Sequence, residues 1–96
     1  MKAVLINKSW LRREIIVSSD VGEFIVLYNG AQSGIESVSV NGEIIIKVPS
    51  LFILTPEIEF KMGPYFALIE VKSTFWFTLR KFNLVVSGKL IYSEGE

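Results

Sequence analysis

Apolar side chains recur at every second position over several short stretches of the chain. In residues 57–62 the apolar side chains of Ile58, Phe60 and Met62 alternate with charged ones. This period of two is that of a β-strand with one buried face. No stretch of a dozen residues shows the 3.6-residue period of an amphipathic helix, so the pattern predicts no long helix.

Turn residues separate these stretches throughout the sequence. The spacing predicts an all-β fold, an antiparallel β-sandwich of about eight or nine short strands, with a small, partly open β-barrel as the alternative. The strand candidates are residues 3–6, 13–18, 23–28, 36–40, 43–48, 51–54, 57–62, 65–72, 74–80, 82–86 and 89–92.

The dipeptide Asn41-Gly42 is the sharpest turn signal, because a type I′ turn needs positive φ at both central residues. The apolar residues around it should set the hairpin register by facing the core together. These are Val38, Val40, Ile44 and Ile46, with Ile45 on the opposite face. The full set of predicted turn-forming residues is Gly30, Gly34, Asn41, Gly42, Gly63, Ser87 and Gly88.

Residues 23–28 are apolar on both faces, which is typical of a strand covered on both sides. Residues 43–48 also carry apolar side chains on both faces. Half of the 96 residues are hydrophobic, a large share for a small domain. We interpret this surplus as a surface for a partner or a ligand.

The length allows one domain, residues 1–96. Within it, residues 1–10 could be an edge strand or an arm that docks on a partner, and residues 93–96 are expected to be a frayed tail. The chain has no cysteine, no apolar run of membrane-spanning length and no secretory signal pattern, so a cytoplasmic location is the default prediction.

Ten Lys and Arg balance ten Asp and Glu. A nucleic-acid-binding domain usually carries a basic stripe and a high isoelectric point, so we predict neither a nucleic-acid nor a membrane partner.

The sequence lacks histidine and cysteine, which are the usual general base, zinc ligands and thiolate nucleophile. Glu57 and Glu59 share one strand face and could form a catalytic carboxylate pair, but the alternation predicts that this face is exposed to solvent. We therefore predict that the protein is not an enzyme and binds no metal or cofactor. A catalyst built from carboxylates, tyrosines and lysines is the weakest hypothesis.

The candidate interaction residues are Trp76, Arg80, Ile45 and Trp10. Trp76 shares a half-polar strand face with Arg80, where tryptophan is often an interface anchor, although it could also pack under a neighbouring loop. Trp10 lies in a polar stretch, and the favoured interpretation is a lid over one end of the core.

Five features follow one another along the chain. They are an apolar strand, a glycine, a polar loop ending in Ser-Gly, an alternating valine strand and a glycine turn followed by a charged residue. They lie at residues 24–28, Gly30, residues 32–34, Val38 and Val40, and residues 41–43. The order resembles the amino-terminal domain of the Fas apoptotic inhibitory molecule family, and the likeness extends over about residues 23–92 through Phe52, Glu59-Phe60, Gly63 and residues 84–90.

Asn29 and Ala31 depart from that family's pattern, which tends to have histidine and threonine there. The early tryptophan does not align with the family's pattern, and the family's second domain is missing. The resemblance implies a compact antiparallel β-sandwich without catalytic residues that acts in survival signalling and against aggregation through protein contacts.

The first functional hypothesis is thus a non-enzymatic protein-interaction module that binds protein, possibly itself as a homodimer, through an apolar face or a sheet edge. The alternative is a domain that binds a small apolar ligand between its sheets or in a barrel mouth.

Overall fold

The chain folds into two antiparallel β-sheets packed face to face, as shown by a computed structural model that describes residues 1–32, 34–49, 54–73 and 79–95. The predicted β-sandwich is confirmed, and the sheets do not close into a barrel. The described residues contain no helix, and thus none that could cross a membrane.

The described residues form nine strands. The five-stranded sheet contains β1 (Lys2–Ser9), β2 (Arg12–Ser19), β3 (Gly22–Gln32), β4 (Ile35–Val40) and β5 (Glu43–Pro49). The four-stranded sheet contains β6 (Glu57–Met62), β7 (Tyr65–Ser73), β8 (Leu79–Val86) and β9 (Lys89–Gly95).

Each sheet is a meander in which every strand pairs with the next one along the chain. This order follows from the short turn signals in the sequence, since antiparallel neighbours need only a tight connection. At the two sides of the sandwich, β1 lies against β9 and β5 lies against β6.

The core lies between the sheets and is made by the alternate residues of both inner faces. One set of sixteen buried hydrophobic side chains fills it. They are Leu11, Ile15, Val17, Val26, Tyr28, Val38, Leu54, Ile58, Phe60, Met62, Ala67, Ile69, Val71, Phe82, Leu84 and Val86. The period of two read from residues 57–62 is confirmed, because β6 alternates between exposed and buried along its whole length.

The prediction that residues 23–28 are covered on both faces is wrong. Val26 and Tyr28 point into the core, whereas Ile25 on the outer face is 41% exposed. The sheet has no further layer against that side among the described residues.

The hairpin register also differs from the predicted one, because Ile45 is an extra residue in β5. Ile46 lies opposite Val38 on the inner face, while Ile44 lies opposite Ser39 on the outer face. A β-bulge of this kind breaks the alternation on one strand. Ile44 and Ile46 consequently do not share a face.

The turn dipeptides Asn41-Gly42 and Ser87-Gly88 connect β4 to β5 and β8 to β9. Their φ angles are 53° and 83° in the first and 52° and 78° in the second. Positive φ at both central residues matches the right-handed twist of the flanking strands. Two more of the predicted turn glycines have positive φ, namely Gly34 at 74° and Gly63 at 60°.

Of the two terminal segments, residues 1–10 form the edge strand that was one of the two alternatives, and the carboxyl end differs from its prediction. The first strand, β1, pairs with β2 along an edge of the five-stranded sheet. The expected frayed tail is instead part of β9, which continues through Gly95 in register with β8. Glu96, residues 50–53 and residues 74–78 lie outside the described residues, and so do most of the strand candidates 51–54 and 74–80.

Candidate interaction surfaces

A cleft opens where the β1–β2 turn meets the first residues of β8 and the last residues of β9. It has a volume of about 630 Å³. Its walls include Lys8, Trp10, Arg13, Leu79, Arg80 and Glu94. We call it the Trp10 cleft.

Trp10 itself is not the predicted lid over the core. It occupies the turn after β1, and its side chain is 63% exposed. Leu11, the next residue, is the one that enters the core. A large aromatic side chain left in water on a fixed turn is a typical binding group.

Arg13 fixes this turn from within. It is buried, and its Nη1 donates to the carbonyl oxygens of Ser9 at 3.0 Å, Trp10 at 3.3 Å and Arg12 at 2.7 Å. The other side of the guanidinium binds Glu94, with Nε to Oε1 at 2.6 Å and Nη2 to Oε2 at 3.2 Å. A two-point pair of this geometry is strong and directional.

Two further groups bind the carboxylate of Glu94. Tyr92 donates its hydroxyl to Oε1 at 3.1 Å, and the Lys8 ammonium lies 3.2 Å from Oε2. Burial alone would raise the pKa of Glu94, but the hydrogen bonds and charge of Arg13, with those of Lys8 and Tyr92, hold that pKa below its ordinary value. Burial, helped by the bond to Glu94, raises the pKa of Tyr92.

A second carboxylate, that of Glu36, is fully buried beneath the chain that crosses from one sheet to the other. Its Oε2 accepts the Tyr28 hydroxyl at 2.5 Å, and its Oε1 accepts the backbone N–H of Thr55 at 2.7 Å. Burial and this bond raise the pKa of Tyr28 far above its ordinary value. The cluster is a structural tie between β4 and the crossover.

Gly30 belongs to this cluster and not to a turn as predicted. It lies inside β3, where the pairing with β4 shifts register. A Cβ at this position would lie 3.0 Å from the Tyr28 hydroxyl and 3.2 Å from Cδ2 of Leu54. Glycine is needed here for close packing and not for positive φ.

The outer face of the five-stranded sheet carries a band of mainly apolar side chains. Strand register places Val4, Ile16 and Ile25 side by side on β1, β2 and β3. In the next row Leu27, Ser39 and Ile44 lie side by side on β3, β4 and β5. We call these six residues, five apolar ones and one serine, the apolar band.

The side chains of the band are open to solvent at its ends and centre. Val4 is 58% exposed and Ile44 is 52% exposed, with Ile25 between them. One row crosses β1 to β3 and the other crosses β3 to β5, where the buried Ser39 lies between Leu27 and Ile44. Exposed apolar side chains grouped on one face are a common sign of an interaction surface.

The outer face of the four-stranded sheet differs from that of the five-stranded sheet in how its exposed apolar side chains are arranged. Phe66 is 73% exposed, and the Lys61 ammonium lies 5.0 Å from the centre of its ring. Beside it, a shallow depression of about 500 Å³ is lined in part by Leu68 and Val85. The patch is centred on one aromatic ring that a cation already contacts.

The structure brings two of the four predicted interaction residues together. Trp10 and Arg80 line the same cleft. Ile45 lies in edge strand β5, and Trp76 lies outside the described residues.

Sequence reasoning missed the buried Arg13 and its partner Glu94. The spacing of Tyr92 and Glu94, two residues apart and so on one strand face, could have indicated a strand at the carboxyl end, but it does not identify Arg13 as the partner of Glu94.

No protein-family model, no curated protein and no solved structure matches this chain. The resemblance to the Fas apoptotic inhibitory molecule family accordingly stays a prediction.

Proposed function

We propose that this protein is a non-enzymatic protein-interaction module that pairs with a second copy of itself through the outer face of its five-stranded sheet. The observation that supports this is the apolar band, whose exposed aliphatic side chains Val4, Ile25 and Ile44 lie on β1, β3 and β5. Burying such a surface against another one removes apolar area from water, which is the main driving force of association.

Three of the four edge strands carry a bulge, and the geometry of these three edges favours the face over an edge as the contact. Both edge strands of the five-stranded sheet contain a β-bulge, at Ile6 in β1 and at Ile45 in β5. Strand β9, at one edge of the other sheet, has a bulge at Ile91. Bulges twist an edge away from regular pairing and oppose the addition of a further strand.

The charges around the apolar band favour a second copy as the partner. The outer face has Lys2 and Glu23 in the row on one side of the band, and Arg12 and Lys47 in the row on the other side. Because both signs are present and the formal net charge is zero, two copies can approach without long-range repulsion. Because the charges on this face are of both signs, the face would not attract a strongly charged partner.

A dimer of this kind is expected to be weak. Five strands about 4.8 Å apart give a face roughly 20 Å wide, and two rows of side chains, each taking about 7 Å along the strands, cover roughly 300 Å² of it, well below the roughly 800 Å² per partner of a standard interface. We expect dissociation constants in the micromolar range.

Sedimentation velocity across the micromolar range tests the proposal. The wild type should shift from monomer to dimer with concentration, and Ile25→Lys, which puts a charge at the centre of the band, should stay monomeric. Phe66→Lys is the matched control, because it makes the same change at a more exposed site on the other sheet and should dimerise normally. A wild type that stays monomeric, or a dimer lost in Phe66→Lys and kept in Ile25→Lys, would overturn the proposal.

The alternative, a small apolar ligand between the sheets, stays a prediction. The depressions described above open on the outside of the sandwich or at its end, and the inner-face side chains named above pack against one another.

A further inference from the structure

We propose that the free edge of β6 binds an extended peptide segment of a partner protein, which adds to the four-stranded sheet as an antiparallel fifth strand. This edge is separate from the apolar band, and the proposal does not depend on dimerisation. It is supported by the regularity of β6, by the direction of its backbone groups and by the charges that it carries.

Strand β6 lies at an edge of the four-stranded sheet and pairs without a break. Its register with β7 runs from Glu57 to Met62 with no shift. Bulges, prolines and inward-pointing charges keep many edge strands from pairing further, and residues 57–62 contain none of the three. The geometry of this edge therefore suits the addition of a strand.

The free backbone groups of β6 lie at every second residue. The N–H of Val71 donates to the carbonyl oxygen of Pro56 at 2.9 Å, in register with the pairing of β6 and β7. Antiparallel strands exchange hydrogen bonds at alternate pairs, so the even-numbered residues of β6 bond to β7. The N–H and C=O groups of Glu57, Glu59 and Lys61 therefore point away from β7. Within the described ranges, no backbone hydrogen bond joins β6 to β5.

The sandwich is open on the side where this edge lies. The four-stranded sheet is one strand narrower than the sheet on which it packs. On the other side the ion pair of Lys8 and Glu94 joins β1 to β9, whereas no ion pair in the described part of the chain joins β5 to β6. On the inner face of β5, Ile46 and Val48 are half-buried, although Val38 opposite Ile46 is fully buried. A fifth strand beside β6 would extend the cover over these two side chains.

The charges on the edge specify the partner. The exposed side chains of β6 are Glu57, Glu59 and Lys61, and none of them is in a salt bridge with another described residue. The Lys61 ammonium lies instead over the ring of Phe66. Opposite charges on neighbouring antiparallel strands attract, and like charges directly opposite each other destabilise the pair. The added strand should therefore have an acidic residue opposite Lys61 and basic residues opposite the two glutamates.

Glu59 is the clearest of these three positions. Its neighbour on β7 is the apolar Leu68. Glu57 has a second carboxylate beside it, that of Glu70, and Lys72 lies one row further on the same face. A basic residue opposite Glu59 would thus meet a carboxylate that has no charged neighbour directly opposite it on β7.

Read in the antiparallel direction, these preferences give a segment of the pattern acidic, apolar, basic, apolar, basic. The acidic residue faces Lys61, and the central basic residue faces Glu59. The two apolar residues point to the inside of the sandwich, next to the inner face of β5. A second copy of β6 is the other strand that could add here, and its addition is one outcome of the test.

The experiment measures by calorimetry the binding of a synthetic peptide, blocked at both ends, with the central sequence Glu-Val-Lys-Val-Lys. Methylation of the backbone nitrogen of the central lysine removes its hydrogen bond to Glu59 and should weaken binding by roughly tenfold. Methylation of the nitrogen of the preceding valine is the matched control, because that nitrogen points away from β6 and binding should change little.

Hydrogen exchange followed by NMR locates the added strand. The amide of Glu59 should exchange rapidly in the free protein and slowly with the peptide bound. The amide of Phe60, which bonds to β7, should be protected in both states.

Variants of the protein test the charge pattern. Glu59→Lys should weaken binding several-fold, and a peptide with glutamate in place of its central lysine should restore it. Glu23→Lys makes the same change at an exposed position of the other sheet and should leave the affinity unchanged. A circular dichroism spectrum of each variant verifies that it is folded.

The proposal fails if the unmodified peptide does not bind, if the two methylated peptides bind equally, or if Glu23→Lys weakens binding as much as Glu59→Lys does. It also fails if sedimentation shows a dimer that Glu59→Lys abolishes, because β6 would then pair with a second copy.

Discussion

Glu36 and Glu94 both direct a carboxylate into the space between the sheets, but their surroundings differ. Glu36 is fully buried and is held by two neutral donors, the Tyr28 hydroxyl and the Thr55 amide. Glu94 is partly open to solvent and is held chiefly by a buried cation, Arg13. The first is a fixed part of the interior, and the second is an ion pair at its boundary.

An aromatic contact links the two sites. Each carboxylate accepts a hydrogen bond from a tyrosine, and the ring of Phe82 lies 5.4 Å from that of Tyr28 and 6.2 Å from that of Tyr92, between ring centres. The two inward-pointing carboxylates therefore have different structural roles. Glu36 anchors the crossover between the sheets, and Glu94 anchors the turn that carries the exposed indole of Trp10.

The largest expected effect is at Glu36. Replacement by alanine removes the acceptor of two buried donors and leaves a cavity, which should lower the free energy of unfolding by about 3 kcal/mol. Glu36→Gln keeps an acceptor for the Thr55 amide and can donate to the Tyr28 oxygen, so it should cost about 1 kcal/mol. Urea denaturation measures both. Equal losses in the two variants would show that the hydrogen bonds are not what matters.

A smaller effect is expected at Arg13. Arg13→Met removes the partner of Glu94 and the donor of three backbone carbonyl oxygens, and should cost about 2 kcal/mol, less than for a fully buried pair because Glu94 reaches solvent. The same variant should increase the proteolytic sensitivity of the β1–β2 turn. Arg12→Met, one residue away on the exposed outer face, is the control. A stable Arg13→Met protein with an unchanged turn would contradict the anchoring role.

The smallest effect is the pH dependence at Glu94. Its pKa is lower in the folded protein than in the unfolded chain, so its contribution to stability is complete above the unfolded pKa and is lost as the pH falls through the folded value. The stability difference between wild type and Glu94→Gln should thus shrink between about pH 6 and about pH 3. Glu57→Gln, on the exposed face of edge strand β6, controls for the loss of one carboxylate. A difference that stays constant with pH would show that the ion pair contributes nothing.

The alternation of residues 57–62 and the turn at Asn41-Gly42 could be read from the sequence, because each depends on neighbours a few positions apart. A period of two indicates which side of a strand is apolar, and Asn-Gly indicates positive φ. Neither pattern indicates whether the apolar side is covered by another part of the protein. For this reason the sequence interpretation of residues 23–28 as covered on both sides was wrong. An exposed apolar face was expected, but its position on the outer side of the five-stranded sheet was not predicted.

The candidate site was predictable in part. Trp10 and Arg80 were both among the predicted interaction residues, although the favoured role of Trp10 was a lid over the core. They are 70 positions apart, and their meeting in one cleft depends on how the two sheets pack. The pair of Arg13 and Glu94 spans 81 positions and could not be inferred from local pattern. The bulge at Ile45 was also hidden, since a single extra residue leaves the composition of the strand unchanged.

The amino-acid sequence by itself determined that this protein is made of short antiparallel strands joined by tight turns, since strand periodicity and turn chemistry are local properties. The tertiary structure alone decided which apolar faces meet each other and which remain in water, and which charges are brought into contact. Those outcomes depend on stacking one sheet upon the other, a contact between residues far apart in the chain that no local pattern encodes.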